Sequence, residues 1–181
     1  MNFLDLAEAR QSARKYIDKP VENEKIMRCL EAARIAPSAS NSQPWSFVVA
    51  HEPALLKKLA KAARGPLGSF NNFVKQVPVV VTIVLEKPKT VTEIGIKVKD
   101  KEWPLMDIGI AAEHFCLQAA EEGLGTCMLG WFDEPEVKKI LHIPTEKTVA
   151  LLITLGYTPD GYKHRKKIRK SMEKMVKWNK Y

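Results

Sequence analysis

Three segments of the chain are runs of mostly apolar residues, rich in β-branched and aromatic side chains. They are Trp45–Ala50, Val79–Leu85 and Thr148–Gly156. The last two do not alternate between apolar and polar residues, which is typical of strands buried on both faces of a sheet. The pattern therefore predicts three strands, two of them with both faces in the core.

Five further segments have the residue spacing or the end signals of helices. They are Leu4–Ala13, a helix with Asn23 as its N-cap that stops at Pro37, Ala54–Ala63 after Pro53, Leu105–Glu122 before Gly123, and Pro135–Leu141. The polar, aperiodic segment Lys87–Pro104 predicts a long connection of the kind that often forms a lid. Because no repeat or linker interrupts the pattern, we expect residues 1–181 to form one domain of α/β or α+β type.

The positive charge of the chain is concentrated at one end. The sequence has 29 basic and 21 acidic residues and a formal net charge of +8, but residues 161–181 alone contain nine basic residues and one acid, Glu173. Residues 1–160 are therefore neutral overall, which argues against a surface built for nucleic acid. The alternative is a nucleic-acid-binding protein that uses this tail, and it predicts tight binding with a steep dependence on salt.

The sequence also limits the environment of the protein. The longest strongly apolar run, Val77–Leu85, is far shorter than the roughly 20 residues needed to cross a bilayer. The N-terminal residues include acids and do not have the pattern of a secretory signal. Three cysteines without Cys-x-x-Cys spacing, and histidines without metal-ligand spacing, argue against disulfides and metal sites. We expect a cytoplasmic protein with neither a membrane partner nor a bound metal.

Two segments at opposite ends of the chain are suited to binding an anion. Arg10 and Arg14 lie four residues apart on one side of a predicted helix end, with Ser12 between them. Each guanidinium offers five donors in a geometry that fits a phosphate. Lys163 and Arg165 follow the last buried strand and have the spacing of a phosphate clamp. The alternative for both segments is a set of solvated cations.

Two other segments contain more small and polar residues than a turn requires. The segment Ala36-Pro-Ser-Ala-Ser-Asn-Ser-Gln-Pro-Trp45 predicts a rigid loop rich in donors, which favours a ligand site. The segment Gly123-Leu-Gly-Thr-Cys-Met-Leu-Gly-Trp131 follows a helix instead of opening one, so it is not a dinucleotide-binding loop. It predicts extended backbone that a flat ligand can approach at Gly130. Cys127 has no evident basic neighbour, which favours a small buried residue over a nucleophile.

The chain has no catalytic triad, paired carboxylates, Walker loop or His-Glu-x-x-His motif, so its chemistry has to come from a cofactor. In their order along the chain, the four segments resemble the nitroreductase family of FMN-dependent oxidoreductases. The matching pieces are Arg10-x-Ser12-x-Arg14, Ala36-Pro-Ser-x-Ser-Asn-Ser-Gln-Pro-Trp45-x-Phe47, Asp107…Gly123-Leu-Gly-Thr-Cys127…Gly130, and Leu155-Gly-Tyr157…Lys163-x-Arg165. They extend over nearly the whole chain, and its length resembles the shorter members of the family.

The resemblance implies an α+β fold, with a mostly antiparallel central sheet flanked by helices, in an intertwined homodimer that binds FMN at its interface. It implies that Arg10, Ser12, Lys163 and Arg165 bind the FMN phosphate. It places Arg14 at the N1/O2 edge of the flavin, where a cation stabilises the reduced ring. The other implied contacts are Pro37, Ser38, Ser40 and Asn41 of the partner subunit, the backbone of Met128, Leu129 and Gly130 at N5/O4, and Asn72 at the ring edge.

The implied activity is transfer of hydride from NAD(P)H through flavin N5 to an electron-poor small molecule, such as a nitroaromatic or a quinone. Since both substrates use one face of the flavin, ping-pong kinetics are expected, and no catalytic side chain is implied. The alternatives are a flavin enzyme of the same family that consumes its flavin or removes halogen, and a flavin-binding module without turnover. Residues 161–181 are then expected to form a basic C-terminal arm that packs on the partner subunit with its lysines in water.

Overall fold

The computed structural model describes residues 2–65, 71–89, 92, 95 and 101–181. Its strands are β1 (Trp45–Ala50), β2 (Val79–Leu85), β3 (Gly125–Leu129) and β4 (Thr148–Gly156). They form one sheet in the order β1-β2-β4-β3, and every neighbouring pair is antiparallel. This confirms the α+β class and the antiparallel sheet. The three strands predicted from the sequence begin and end at the predicted residues.

Helices pack on both faces of this sheet. They are α1 (Phe3–Ala9), α2 (Asn23–Arg34), α3 (Pro53–Ala62), α4 (Trp103–Glu121), α5 (Glu134–Leu141) and a short α6 (Met172–Met175), with 3-10 turns at Ala39–Asn41 and Asn72–Gln76. The end of α4 follows the sequence closely. Gly123 has φ +74°, its N–H donates to Ala120, and the N–H of Leu124 donates to the carbonyl of Ala119 at 2.8 Å. This is the Schellman arrangement that a glycine at this position favours.

Strand β2 divides the core into two parts. Val79, Val81 and Ile83 face the helices α2 and α4, where they pack with residues such as Phe115. The intervening residues Val80 and Val84 belong to the cluster formed with α3 and α5. Because successive side chains of a strand point to opposite faces, the unalternating apolar run fills both parts. The predicted burial of β2 on both faces is therefore confirmed.

The first helix is shorter than the sequence predicts. It ends at Ala9, and Arg10 already has the extended backbone angles φ −62° and ψ 123°. Ser12 forms a parallel bridge with Thr126 of β3, and the N–H of Ala13 donates to the carbonyl of Thr126 at 2.7 Å. The predicted helix over Leu4–Ala13 is therefore wrong after Ala9, because pairing with a distant strand overrides local helix propensity.

The start of α2 and the segment predicted to form a lid also differ from expectation. Glu22, and not Asn23, is the N-cap of α2, and it makes no side-chain capping bond. Half of the predicted lid Lys87–Pro104 lies outside the described residues. In its described part, the N–H of Lys89 donates to Ser42 Oγ at 2.8 Å, and the predicted connection is wrong at its end, because Trp103 and Pro104 already belong to α4. Within the ranges that the structure describes, no helix has the length and apolar character needed to span a bilayer.

Candidate functional site

The two basic ends of the chain meet beside β3. Arg165 donates a guanidinium N–H to the backbone carbonyl of Ser12. The backbone N–H of Arg165 donates to Gln11 Oε1 at 3.1 Å, and Gln11 Nε2 donates to the carbonyl of Lys163 at 3.4 Å. The N–H of Arg14 donates to the hydroxyl of Tyr162 at 3.1 Å. The structure thus brings together the two segments that the sequence predicts to bind an anion.

Gly125 allows this close contact between the N-terminal segment and the sheet. A Cβ atom at Gly125 would lie 2.7 Å from the Cβ of Ala13 and 2.7 Å from Cγ2 of Thr158. Real Cβ atoms do not approach other atoms so closely, so a larger residue would force the segment around Ser12 away from β3. The small residue at this position therefore supports the geometry of the basic pocket described next.

A cavity of about 310 Å³ lies between the two basic ends, lined by residues 10–12 and 165–169. We call it the basic pocket. Arg10 is held at its edge by an ion pair, with Nε 3.3 Å from Glu113 Oε1. The Nε atom of Arg10 is buried and has no hydrogen-bond partner among the described residues. Its ionic partner is the carboxylate of Glu113, and this ion pair orients the guanidinium of Arg10 beside the basic pocket.

Arginines of both chain ends lie near the thiol of Cys127 in β3. Burial raises the pKa of the Cys127 thiol, and the nearby positive charges of Arg14, Arg165 and Arg10 act in the opposite direction. Three guanidinium groups are thus close enough to influence one thiol at the centre of β3. Cys127 is only 3% exposed, so the prediction of a small buried residue is confirmed. The expectation that it has no basic neighbour is wrong, because these arginines come near it only in the folded chain.

The C-terminal end of β3 leads away from the basic pocket along an open edge of the sheet. In the described sheet β3 pairs with β4 alone, apart from the bridge at Ser12. A Cβ atom at Gly130 would meet no described atom within 4 Å. From Thr126 to Gly130 an extended strand spans about 13 Å. The edge can therefore accommodate an elongated ligand with an anionic group at one end and a flat group at the other.

Asn71 attaches a second segment to this edge. It has a left-handed backbone conformation with φ +55°. Its side-chain Nδ2 donates to the carbonyls of Ala63 and Trp131, each at 3.0 Å. Asn72, the predicted ring-edge contact, is the next residue and is exposed. The predicted contact Asn72 therefore belongs to the segment that Asn71 attaches beside the end of β3.

The predicted loop contacts Pro37, Ser38, Ser40 and Asn41 belong to a different part of the protomer. The N–H of Ala39 donates to both carboxylate oxygens of Asp107 on α4, at 3.2 and 3.1 Å. Burial raises the pKa of Asp107, and the Ala39 N–H partly opposes this effect. Ser40 and Asn41 have positive φ angles of 53° and 49°. The described residues of this loop form no hydrogen bond or ion pair with those of the basic pocket.

Sequence reasoning overlooked two residues at the junction of the chain ends and misplaced a third, which lines the basic pocket. Gln11 and Tyr162 were not singled out, although they tie the two ends of the chain together. Lys167 was assigned to the solvated arm, but its ammonium group donates to the carbonyls of Ala7 and Arg10, at 2.6 and 2.7 Å. That expectation is wrong for Lys167, because the terminal carbonyls of α1 attract a cation. In the described ranges, no group of three metal-ligand side chains occurs.

Comparison with known proteins supports one family. The model of the nitroreductase family matches residues 7–69 and 66–157. A relative from Archaeoglobus fulgidus, provisionally named an NADH dehydrogenase/NAD(P)H nitroreductase, is 30% identical over 161 residues, which span 87% of this chain and 86% of that protein. The NADH dehydrogenase of Thermus thermophilus is 28% identical over 196 residues, spanning 93% of this chain and 92% of that protein.

Solved structures give the same result for the fold. The FMN-dependent nitroreductase from Clostridium difficile R20291 superposes with a TM-score of 0.80 at 26% identity, over 99% of this chain and 100% of that chain. A nitroreductase family protein from Clostridium novyi NT gives a TM-score of 0.75 at 28% identity, over 88% of this chain and 87% of that chain. These proteins thus share the overall fold of this chain.

Proposed function

This chain belongs to the nitroreductase family, and from that premise we propose that it is an FMN-dependent oxidoreductase that reduces an electron-poor small molecule with NAD(P)H. The observation that carries this proposal is the meeting of the two basic chain ends beside the open edge of β3. The proposal gains support from relatives named for NAD(P)H-dependent activities and from a solved relative named as FMN-dependent.

The residues of the basic pocket suit the phosphate of FMN. Arg10 lines the pocket and is oriented by its ion pair with Glu113. Arg165 is oriented by its contacts with Ser12 and Gln11. Lys163 lies two residues earlier and outside the lining of the pocket, and its backbone carbonyl accepts from Gln11. Preorganised guanidinium groups bind a dianionic phosphate through short, charge-assisted hydrogen bonds. In this proposal Arg10, Ser12, Lys163 and Arg165 hold the phosphate end of the cofactor.

The rest of the cofactor would follow the edge of β3. Backbone groups of Met128, Leu129 and Gly130 would contact the N5/O4 side of the ring, with Asn72 at its edge. Arg14 would place a positive charge near N1/O2, where it stabilises negative charge on the reduced ring. Bound FMN would supply hydride transfer at N5, first from NAD(P)H and then to the acceptor, while the protein binds, orients and shields the reactants.

The proposal includes a homodimer in which the partner subunit completes the site. The loop with Pro37, Ser38, Ser40 and Asn41 is fixed to α4 instead of to the basic pocket of its own chain, so it is available to cover a site on the partner. Helix α4 also exposes Leu105, Met106 and Ile110 to 47%, 56% and 39%. Exposed large apolar residues on one helix are typical of an interface between subunits.

Steady-state kinetics test the proposed activity. Purified protein with FMN should oxidise NADH or NADPH continuously when a nitroaromatic or a quinone is present. Plots of reciprocal rate at several acceptor concentrations should give the parallel lines of a ping-pong mechanism. Stoichiometric flavin binding without turnover would instead identify a flavin-binding module, and halide release from a halogenated phenol would identify a dehalogenating enzyme.

A further inference from the structure

A second and larger cavity lies on another side of the molecule. Its volume is about 770 Å³, and it lies between helix α3, the segment 16–23 and the start of β2. We call it the α3 cavity. It shares no residue with the basic pocket or with the contacts proposed for FMN. Its walls combine two kinds of side chain, which together indicate what it can bind.

The first kind is a group of four cations. Lys57 and Lys61 lie four residues apart on α3, Arg64 follows just beyond the end of the helix, and Lys75 faces them from the 3-10 turn before β2. Residues four apart on a helix lie on the same face. Among the ion pairs between described residues, none involves these four side chains. Asp18 is the single carboxylate among the residues that line the cavity.

The second kind is an apolar floor. The lining includes Leu56, Pro53 and Pro78, which are exposed or half-buried, and the ring of Tyr16. The hydroxyl of Tyr16 is turned inward, where it lies 2.7 Å from Thr154 Oγ1 and donates to the carbonyl of Ala13 at 3.0 Å. The Tyr16 ring therefore presents carbon atoms to the cavity. Such a floor suits an aromatic or aliphatic group of a ligand.

We propose that the α3 cavity binds a small organic phosphate with an apolar body, and that it does so independently of the flavin site. Four cations against one carboxylate favour a dianionic phosphate over a singly charged carboxylate, because a phosphate monoester carries close to two charges and three strong acceptor oxygens. The apolar floor adds affinity that inorganic phosphate cannot gain. The cavity is then a second ligand site of the protein.

Isothermal titration calorimetry with 1-naphthyl phosphate tests this site. The titration uses protein saturated with FMN, so that the basic pocket is filled. We expect 1-naphthyl phosphate to bind at least tenfold more tightly than inorganic phosphate or 1-naphthol, with an affinity that falls as salt is raised. Equal affinities for 1-naphthyl phosphate and inorganic phosphate would overturn the proposal.

A matched set of lysine variants locates the binding. The double substitution Lys57→Gln with Lys61→Gln should weaken 1-naphthyl phosphate binding about tenfold, and Lys57→Arg with Lys61→Arg should restore most of the affinity. Lys58 is exposed on the same helix but does not line the cavity. Lys58→Gln should therefore change the affinity less than twofold. Unchanged binding in the double glutamine variant, or an equal loss in Lys58→Gln, would contradict the proposal whether or not the protein binds FMN.

Discussion

The guanidinium of Arg165 donates to the backbone carbonyl of Ser12, a residue 153 positions earlier in the chain. This contact closes the basic pocket and leaves further guanidinium donors for a ligand. Gln11 also connects the two chain ends, because it accepts from the N–H of Arg165 and donates to the carbonyl of Lys163. The orientation of the pocket therefore depends on an uncharged residue.

Gln11→Ala tests that dependence without changing the charge of the pocket. The loss of two neutral hydrogen bonds at a partly exposed site, about 0.5–1 kcal/mol each, should weaken FMN binding roughly fivefold to thirtyfold. The measurement is the dissociation constant for FMN from quenching of flavin fluorescence. Gln118→Ala is the control, since Gln118 also makes a side-chain hydrogen bond, to Glu122, but lies away from the pocket. If both variants bind FMN equally well, Gln11 does not orient the pocket.

Asp107 should control the loop that we propose covers the partner's cofactor. Asp107→Ala leaves the N–H of Ala39 without its carboxylate acceptor, which should lower the free energy of unfolding by about 1–3 kcal/mol. It should also accelerate FMN dissociation, because the loop loses its attachment to α4. Chemical denaturation and stopped-flow dissociation measure the two effects.

Asp107→Asn tests whether the hydrogen bond to Ala39, and not only the presence of a side chain at position 107, retains the loop. The amide oxygen of asparagine can still accept from the N–H of Ala39, so this variant should recover part of both the stability and the slow FMN dissociation. FMN dissociation that stays at the wild-type rate in Asp107→Ala would mean that the attachment of this loop to α4 does not contribute to cofactor retention.

Glu86 should make the stability of the fold depend on pH in the acidic range. Its carboxylate accepts from the ammonium of Lys147 and from the hydroxyl of Ser46 at 2.7 Å, and these contacts lower its pKa below the ordinary value of 4.5. A carboxyl group whose pKa is lower in the folded than in the unfolded state stabilises the fold fully at pH values above its unfolded-state pKa. That stabilisation is lost as the pH falls through the folded value.

Glu86→Gln should therefore be less stable than the wild type at pH 7, by up to about 1 kcal/mol for this partly exposed pair. The difference should shrink as the pH falls from about 5 to 3. Urea denaturation at a series of pH values measures it, with Glu146→Gln as a control for loss of an exposed carboxylate. A difference that stays constant over this range would rule out the assigned role of Glu86.

The sequence predicted the strands well because their signal is local. Val79–Leu85 and Thr148–Gly156 are apolar runs with clear ends, and each of the two parts of the core takes its side chains from both strands. The predicted helix through Ala13 failed because Ser12 and Ala13 pair with Thr126. Nothing in the local residues Arg10-Gln-Ser-Ala indicates that partner.

In the candidate site, the charged residues could be predicted from the sequence, whereas the residues that position them could not. Arg10, Arg14, Lys163 and Arg165 could be selected from the sequence because clustered cations are themselves a chemical signal. Gln11, Tyr162 and Asn71 could not, since their roles are hydrogen bonds to backbone groups that come near only in the folded chain. The carboxylate of Asp107 likewise acquires its role only when the loop at Ala39 folds onto α4.

FMN titration of the wild type and of the double variant Arg10→Ala with Arg165→Ala tests the central claim most directly. The wild type should bind FMN and show the flavin absorption spectrum after gel filtration. The double variant should keep its far-ultraviolet circular dichroism but bind FMN at least a hundredfold more weakly, because each charge-assisted contact contributes about 1.5–3 kcal/mol. The control, Lys170→Ala with Lys180→Ala, removes two charges from the same tail outside the basic pocket and should bind FMN normally. A wild type that takes up no flavin, or a folded double variant with undiminished affinity, would contradict the assignment of this pocket to FMN.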